Sequence, residues 1–336
     1  METMMLTIDK VSHRYGNHRI LHDINLKIPR GSFCALVGPS GCGKTTLLNA
    51  IVGTDPPSEG QILAAGKPVR QASPDIGIVY QHYSLYPHLT ALANVSFGPI
   101  MRATTTPQRI INIWRSRELY QPFEDDAKRL LKRVGLEASM DRWPREMSGG
   151  MKQRVAIARA LVMHPKVLLL DEPFGALDEA TRESLQNLLL TLYQDNLKAQ
   201  SEGKEPRYTV LIVTHELNEA IYVSDRIIGL SQFHKDGEKM GATVCYDKVS
   251  PVFNPDDPRD FNSTEFVAMR QDIRSCVFDP KNCGDKSSNQ TFWPDYFRGE
   301  ANGIMKKGSL EAKKSSIVGR ELDEAKDETY GIFSKK

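Results

Sequence analysis

"SFCALVGPSGCGKTTLLNAIVG", residues 32–53, reads as an apolar strand, a glycine-rich turn and a helix closed by Gly53. The turn matches G-x-x-x-x-G-K-[ST] from Gly38 to Thr45, in the strand-to-helix setting the motif requires. Its glycines let successive backbone N–H groups turn inward and cradle phosphate oxygens. Lys44 supplies a point charge for the β- and γ-phosphates, and the Thr45 hydroxyl can ligate Mg²⁺. Cys42, inside the turn, reads as a small residue at a permissive position rather than as a redox centre.

Three stretches downstream end where such a turn needs partners. "KVLLLDEP" is an apolar strand closed by two acids. Asp171 stands where an acid holds Mg²⁺, and Glu172 follows it, placed to polarise an attacking water. "TVLIVTH" ends in His215, and "IGIVY" is followed by Gln81. Ligands of parallel sheets bind in the crevice at the carboxyl ends of the strands, so all four side chains point to one crevice. A second glycine-rich turn, "MSGGMKQRVAIARAL" (residues 147–161), leads into a helix whose apolar positions recur at Val155, Ala158, Leu161 and Val162. Ser148, Gly149 and Gly150 open the backbone at that helix's N-terminus, where free N–H groups and the helix dipole both favour an anion.

Around these motifs, short strands alternate with helices, which implies an α/β fold with a mostly parallel sheet covered on both faces. From Leu92 to about Met163 the periodicity is mostly helical, as in a separate lobe. Two stretches read as insertions: "ATTTPQRIINIWRSRELYQPF", and the polar "NLKAQSEGKEPR", expected to be an exposed loop. Beyond about Pro255 the composition shifts to Asp, Asn, Ser, Lys and Gly without clean periodicity, so a loosely packed, partly disordered extension is expected there.

The 336 residues carry 40% hydrophobic and 26% charged side chains, an ordinary globular balance, and a net charge of +2 is too mild to argue for nucleic acid. The five cysteines (Cys34, Cys42, Cys245, Cys276 and Cys283) are scattered without zinc-ligand spacing, as free thiols in a reducing cytosol would be. No signal-peptide pattern opens the chain. No apolar run approaches the roughly 18 residues a membrane span needs. A role at a membrane would therefore need other chains to span it.

The order of the motifs (phosphate loop, Gln81, "SGGMKQR", "LLLDEP", "GALD", His215) resembles the ATP-binding subunit of ABC transporters over about residues 6–231. The resemblance implies a P-loop NTPase of the ABC type: a mainly parallel core sheet, an antiparallel β subdomain and a helical lobe. It implies an ATPase domain over 1–254, with the lobe at about 92–163, and a C-terminal extension over 255–336. ATP and Mg²⁺ are the implied ligands. Tyr15 would stack on adenine, and Gly38, Pro39, Ser40, Gly41, Cys42, Gly43, Lys44, Thr45 and Thr46 would bind the phosphates. Thr45, Gln81 and Asp171 would hold the metal, Gln81 as the switch glutamine. Glu172 would be the catalytic base and His215 the γ-phosphate histidine. Ser148, Gly149 and Gly150 would act on the ATP of a partner subunit, and Asp178 would lie in the loop linking the two sites.

Implied partners are a second copy or homologous ATPase subunit, transmembrane permease subunits and, indirectly, a periplasmic solute-binding protein, at the cytoplasmic face of the inner membrane. Within the family, "DEPFGALDEATR" and "VTHELNEAIYVSDRI" are similar to importers of nitrate, sulfonate, taurine or bicarbonate. "HYSLYPHLTALANVSFG", after Gln81, is the expected permease contact, with Tyr83 and Tyr86 either docking a permease helix or packing between the lobes. The signature departs from the family's Leu-Ser-Gly-Gly-Gln: Met147 and Met151 flank Ser-Gly-Gly. The alternatives are an exporter subunit or a soluble DNA- or ribosome-associated ATPase of the same type. The soluble kinds usually carry two cassettes, a long coiled coil or strongly basic segments, none visible here. Glu172 and His215 argue against a non-hydrolysing module.

Overall fold

The computed structural model describes residues 3–104, 116–175, 177–231, 234–236, 239–250 and 261–279. Two units divide the chain, Met1–Gln290 and Thr291–Lys336, and every described residue lies in the first.

Strands β1 (Met4–Tyr15) and β2 (His18–Pro29) pair antiparallel, and β1 also pairs antiparallel with β4 (Glu59–Ala64), which carries the short β5 (Lys67–Pro68). This is the antiparallel subdomain. The larger sheet has the order β12-β9-β3-β8-β7-β6. It is built from β3 (Phe33–Val37), β6 (Ile76–Val79), β7 (Val167–Asp171), β8 (Thr209–Val213) and β9 (Arg226–Leu230), which pair in parallel. A hairpin of β10 (His234–Asp236) and β11 (Lys239–Gly241) precedes β12 (Val244–Val249), the antiparallel edge.

Every residue of β3, β7, β8 and β9 is buried, as continuous aliphatic runs require when helices cover both faces. Alternation along these strands feeds two cores. Val167, Leu169, Leu211 and Val213 face the core that holds Leu47, Leu48 and Ile51 of α1 (Lys44–Val52). Leu168, Leu170, Val210 and Ile212 face the core of the helical lobe. That lobe comprises α2 (Ala91–Ala103), α3 (Ser116–Arg133) and α4 (Gly149–Leu161), joined in the same core by α5 (Glu179–Ser201). Val95, Ala127, Leu131, Val155 and Leu189 are fully buried there. The helices carrying the two phosphate-type turns thus stand on opposite faces of one sheet.

Two sequence expectations change. "NLKAQSEGKEPR" is not one exposed loop, because α5 runs on to Ser201. The reason is Asn196, which is buried: its amide donates to the carbonyls of Gly31 (3.0 Å) and Tyr208 (2.6 Å) and accepts from the N–H groups of Arg207 and Tyr208 (both 3.0 Å). Four satisfied bonds hold the helix end against the sheet. Past the expected boundary near 254, α7 (Thr264–Ile273) is capped by Ser263 and buries Phe266 and Ile273 against α6 (Leu217–Val223) and β9. Most of the first insertion, residues 105–115, lies outside the described residues, as do 251–260 and 280–336. Among the described residues no helix is long and apolar enough to cross a membrane.

Candidate active site

The turn from β3 into α1 uses glycine for two different reasons. At Gly38, a Cβ would stand 2.7 Å from Cys42 Sγ and 2.8 Å from the Leu230 carbonyl, so any side chain is excluded. At Gly43, φ is +97°, and a Cβ would also meet Leu21 and Ile20 within 2.9 Å. Lys44, the first helical residue, folds back over the turn: its Nζ donates to the carbonyls of Gly38 (2.8 Å) and Pro39 (3.0 Å). Cys42 is buried beneath, and burial holds its thiol above the ordinary range despite Lys44. Such a thiol is a packing group rather than a nucleophile.

Asp171 closes β7 and is buried; burial and neighbouring Glu172 push its carboxyl up, opposed by Lys44. Glu172 has φ +46°, a left-handed backbone that costs a non-glycine residue about 1–3 kcal/mol and clusters at functional sites. Its N–H donates to the Val213 carbonyl at 2.8 Å, which ties the strained residue to β8. Its carboxylate is then held from two sides: Gln81 Nε2 donates to Oε2 at 3.0 Å, and His215 Nδ1 lies 3.1 Å from Oε1. Three side chains from the ends of three strands therefore meet. A carboxylate so oriented can accept a proton, and the exposed imidazole beside it can face an anion.

Tyr15, at the end of β1, is 49% exposed and donates to Asp55. That bond, first, and partial burial raise its phenol, while a contact with Thr46 lowers it. Tyr15 therefore stands beside the last residue of the phosphate loop with its ring open to solvent, and the edge of His13 supports it at 4.8 Å.

The second turn is built differently. Gly149 and Gly150 are the first two residues of α4, and Ser148 is its N-cap, its hydroxyl accepting from Met151 N–H at 3.3 Å. The glycine-rich stretch is thus a capped helix start, not an open loop. Gly150 is needed for closeness: a Cβ there would stand 1.9 Å from Thr181 Cγ2. Thr181 opens α5, whose N-cap Asp178 accepts from Thr181 N–H at 3.0 Å. The hydrogen bonds from Thr181 hold that carboxyl below its ordinary range.

Sequence reading missed Asn94, Thr181 and Glu219. Asn94 is fully buried in α2 and organises the loop after Gln81, donating to the carbonyls of Tyr86, Leu89 and Thr90 and accepting from Tyr86 N–H. Its signal was a polar residue in the register of Ala91 and Val95. Tyr83 packs on the lobe core, whereas Tyr86 lines a cavity of about 220 Å³ with Phe97, Met163 and Arg159.

Residues able to hold Mg²⁺ are Asp171, Thr45 and Gln81, all oxygen donors. Among the described residues no group of three or more His, Cys, Asp or Glu could hold a metal. Mg²⁺ takes one or two carboxylates and completes its shell with phosphate oxygens and water, and Asp171 could supply one such carboxylate. A buried carboxyl disfavoured in its charged form gains from such a cation.

The family model for ABC transporters matches residues 21–175. The taurine import ATP-binding protein TauB of Escherichia coli O157:H7 is 40% identical over 278 residues, 82% of this chain and 98% of that protein. The bicarbonate transport ATP-binding protein CmpD of a Synechocystis species is 41% identical over 230 residues, 67% and 74% respectively. A dimeric ATP-binding cassette solved in a post-hydrolysis state with ADP and Pi is 30% identical, with a TM-score of 0.56, covering 74% of this chain and all of that one.

Proposed function

This chain belongs to the ABC transporter family as an ATP-binding subunit and ATPase, and from that premise we propose that it works as a head-to-tail dimer. The dimer would drive import of a small anion such as nitrate, a sulfonate, taurine or bicarbonate through a separate permease. The carrying observation is the placement of the two turns. The phosphate loop leads into α1 on one face of the sheet, and the Ser148 turn leads into α4 on the other. A turn with anion-binding chemistry set on the far face supports its use on a neighbour's nucleotide.

In each site Gly38 to Thr46 hold the phosphates and Tyr15 stacks on adenine. Lys44 leaves the carbonyls of Gly38 and Pro39 for the β- and γ-phosphates. Thr45, Gln81 and Asp171 would hold Mg²⁺, which would neutralise phosphate charge. Gln81 donates to Glu172 through its nitrogen, which leaves its amide oxygen for the metal. Glu172 takes the proton of the attacking water, and His215, whose ring is braced by Glu172, faces the γ-phosphate. Ser148, Gly149 and Gly150 cap the partner's nucleotide, and Asp178 stands in the loop between the sites.

The cavity beneath Tyr86, walled by Phe97 and Met163 and braced by Arg159 bonding the Ser84 carbonyl at 2.7 Å, suits a permease helix. The chain then sits at the cytoplasmic face of the inner membrane, and a periplasmic binding protein delivers the solute. Relatives named for taurine import and bicarbonate transport support a small solute bearing an anionic group as cargo.

Glu172→Gln keeps the bonds' geometry and removes the base. With ATP it should run as a dimer in sedimentation velocity and hydrolyse at a rate roughly 100-fold or more below the parent. Hydrolysis at the parent rate refutes the catalytic assignment, and a monomer with bound ATP refutes the dimer.

A further inference from the structure

His215 is exposed on a short loop, and a buried polar chain lies behind it. Thr214, just before it, is buried; its hydroxyl donates to Glu219 Oε2 at 3.1 Å and accepts from Glu216 N–H at 3.0 Å. Thr214 is thus tied to the Glu219 carboxylate, and the Glu216 N–H to the Thr214 hydroxyl, on either side of His215. Glu219 is itself buried, and burial holds its carboxyl above the ordinary range against the pull of Thr214 and Arg182. Arg182 Nε lies 3.5 Å from Glu219 Oε1, and its Nη2 donates to the Leu177 carbonyl at 3.3 Å. Arg182 follows Thr181 in the first turn of α5, and Thr181 is the residue that Gly150 cannot approach any closer. A continuous run of contacts therefore joins the Ser148 turn to His215 inside one chain.

We infer that Glu219 is a positioning residue for His215, and that the Arg182–Glu219 pair relays the seating of the Ser148 turn to that histidine. The inference rests on the proposed roles of His215 at the γ-phosphate and of the Ser148 turn at a partner's nucleotide. The hard contact at Gly150 moves α5 when the turn seats against a nucleotide. Arg182 moves with α5, and Glu219 carries the displacement to the Thr214 hydroxyl and through it to the Glu216 N–H. Packed interiors transmit such shifts because they do not compress. Each chain would then sense its neighbour's ATP and adjust its own histidine. Glu219, buried among protein partners, acts through Thr214, and Arg182 acts through Glu219.

The test is steady-state ATPase kinetics with equilibrium ATP binding on the full chain. Glu219→Gln should lower kcat roughly 10- to 100-fold, the scale of a misplaced catalytic group, with KM and ATP affinity within about 3-fold. Thr214→Val, nearly isosteric, should do the same and carries the test if Glu219→Gln does not fold. Arg182→Gln should lower kcat and bring the Hill coefficient for ATP toward one. Losses from Thr214→Val and Glu219→Gln should not add, and both should vanish in a His215→Ala background. Parent kcat in Glu219→Gln and Thr214→Val, or additive losses, overturns the inference. Parent kcat in His215→Ala would instead overturn the reading of His215 itself.

Discussion

The chain holds two glycine-bearing helix starts, and they solve opposite problems. The turn before α1 is an open cradle: Gly43 has φ +97°, no side chain caps the helix, and Lys44 covers the turn. The turn before α4 is a closed start: Ser148 caps it with its own hydroxyl, and its glycines are helical. At Gly43 in the first turn glycine provides backbone freedom; at Gly38, and at Gly150 in the second turn, it provides proximity, since Gly150 abuts Thr181. The same residue type marks a place where the backbone must turn and a place where another element presses in.

The comparison breaks most readily at Gly43. Gly43→Ala places a side chain against Leu21 and Ile20 at a left-handed φ, and ATP affinity should fall by about 100-fold or more in equilibrium binding. Retained affinity would mean the cradle tolerates reshaping. Ser148→Arg comes next: hydrolysis should drop by roughly 100-fold, while a single chain binds ATP within about 2-fold of the parent. Equal loss of both would make the second turn a part of its own chain's site. Gly150→Ala should cost activity through Thr181, and Thr181→Ala in the same chain should restore part of it, because the 1.9 Å clash is with the Cγ2 methyl. No rescue would show that the methyl is not the obstacle. Smallest is Ser148→Ala, which removes the cap and should cost about 1 kcal/mol in denaturant unfolding, an effect with no counterpart at Gly43.

What could be read without coordinates was local. The phosphate loop, the acids closing β7 and the order of strands and helices depend on neighbours in the chain, and the parallel sheet and helical lobe follow; the antiparallel subdomain came with the family resemblance that the motif order carries. What escaped depends on residues brought together from a distance. Gln81, Glu172 and His215 were each placed at a strand end, but not that two of them grip the third, nor that Glu172 would take a left-handed backbone to present itself. Gly150 was read as loop freedom, because its real constraint, Thr181, lies thirty-one positions on. The helical end of α5 was read as loop because "NLKAQS" is polar, and Asn196, whose partners lie outside the helix, helps to hold it.

That asparagine also sets how the molecule breathes. Its amide binds the turn before β3 through Gly31 and the approach to β8 through Arg207 and Tyr208, while its backbone belongs to α5. The turn at Gly31, 165 positions away, is thereby fastened at one point to the end of α5 and the approach to β8. Amide hydrogen exchange should find them opening together as a single cooperative unit rather than fraying one by one, although an exposed, polar helix end would ordinarily be the first to fray.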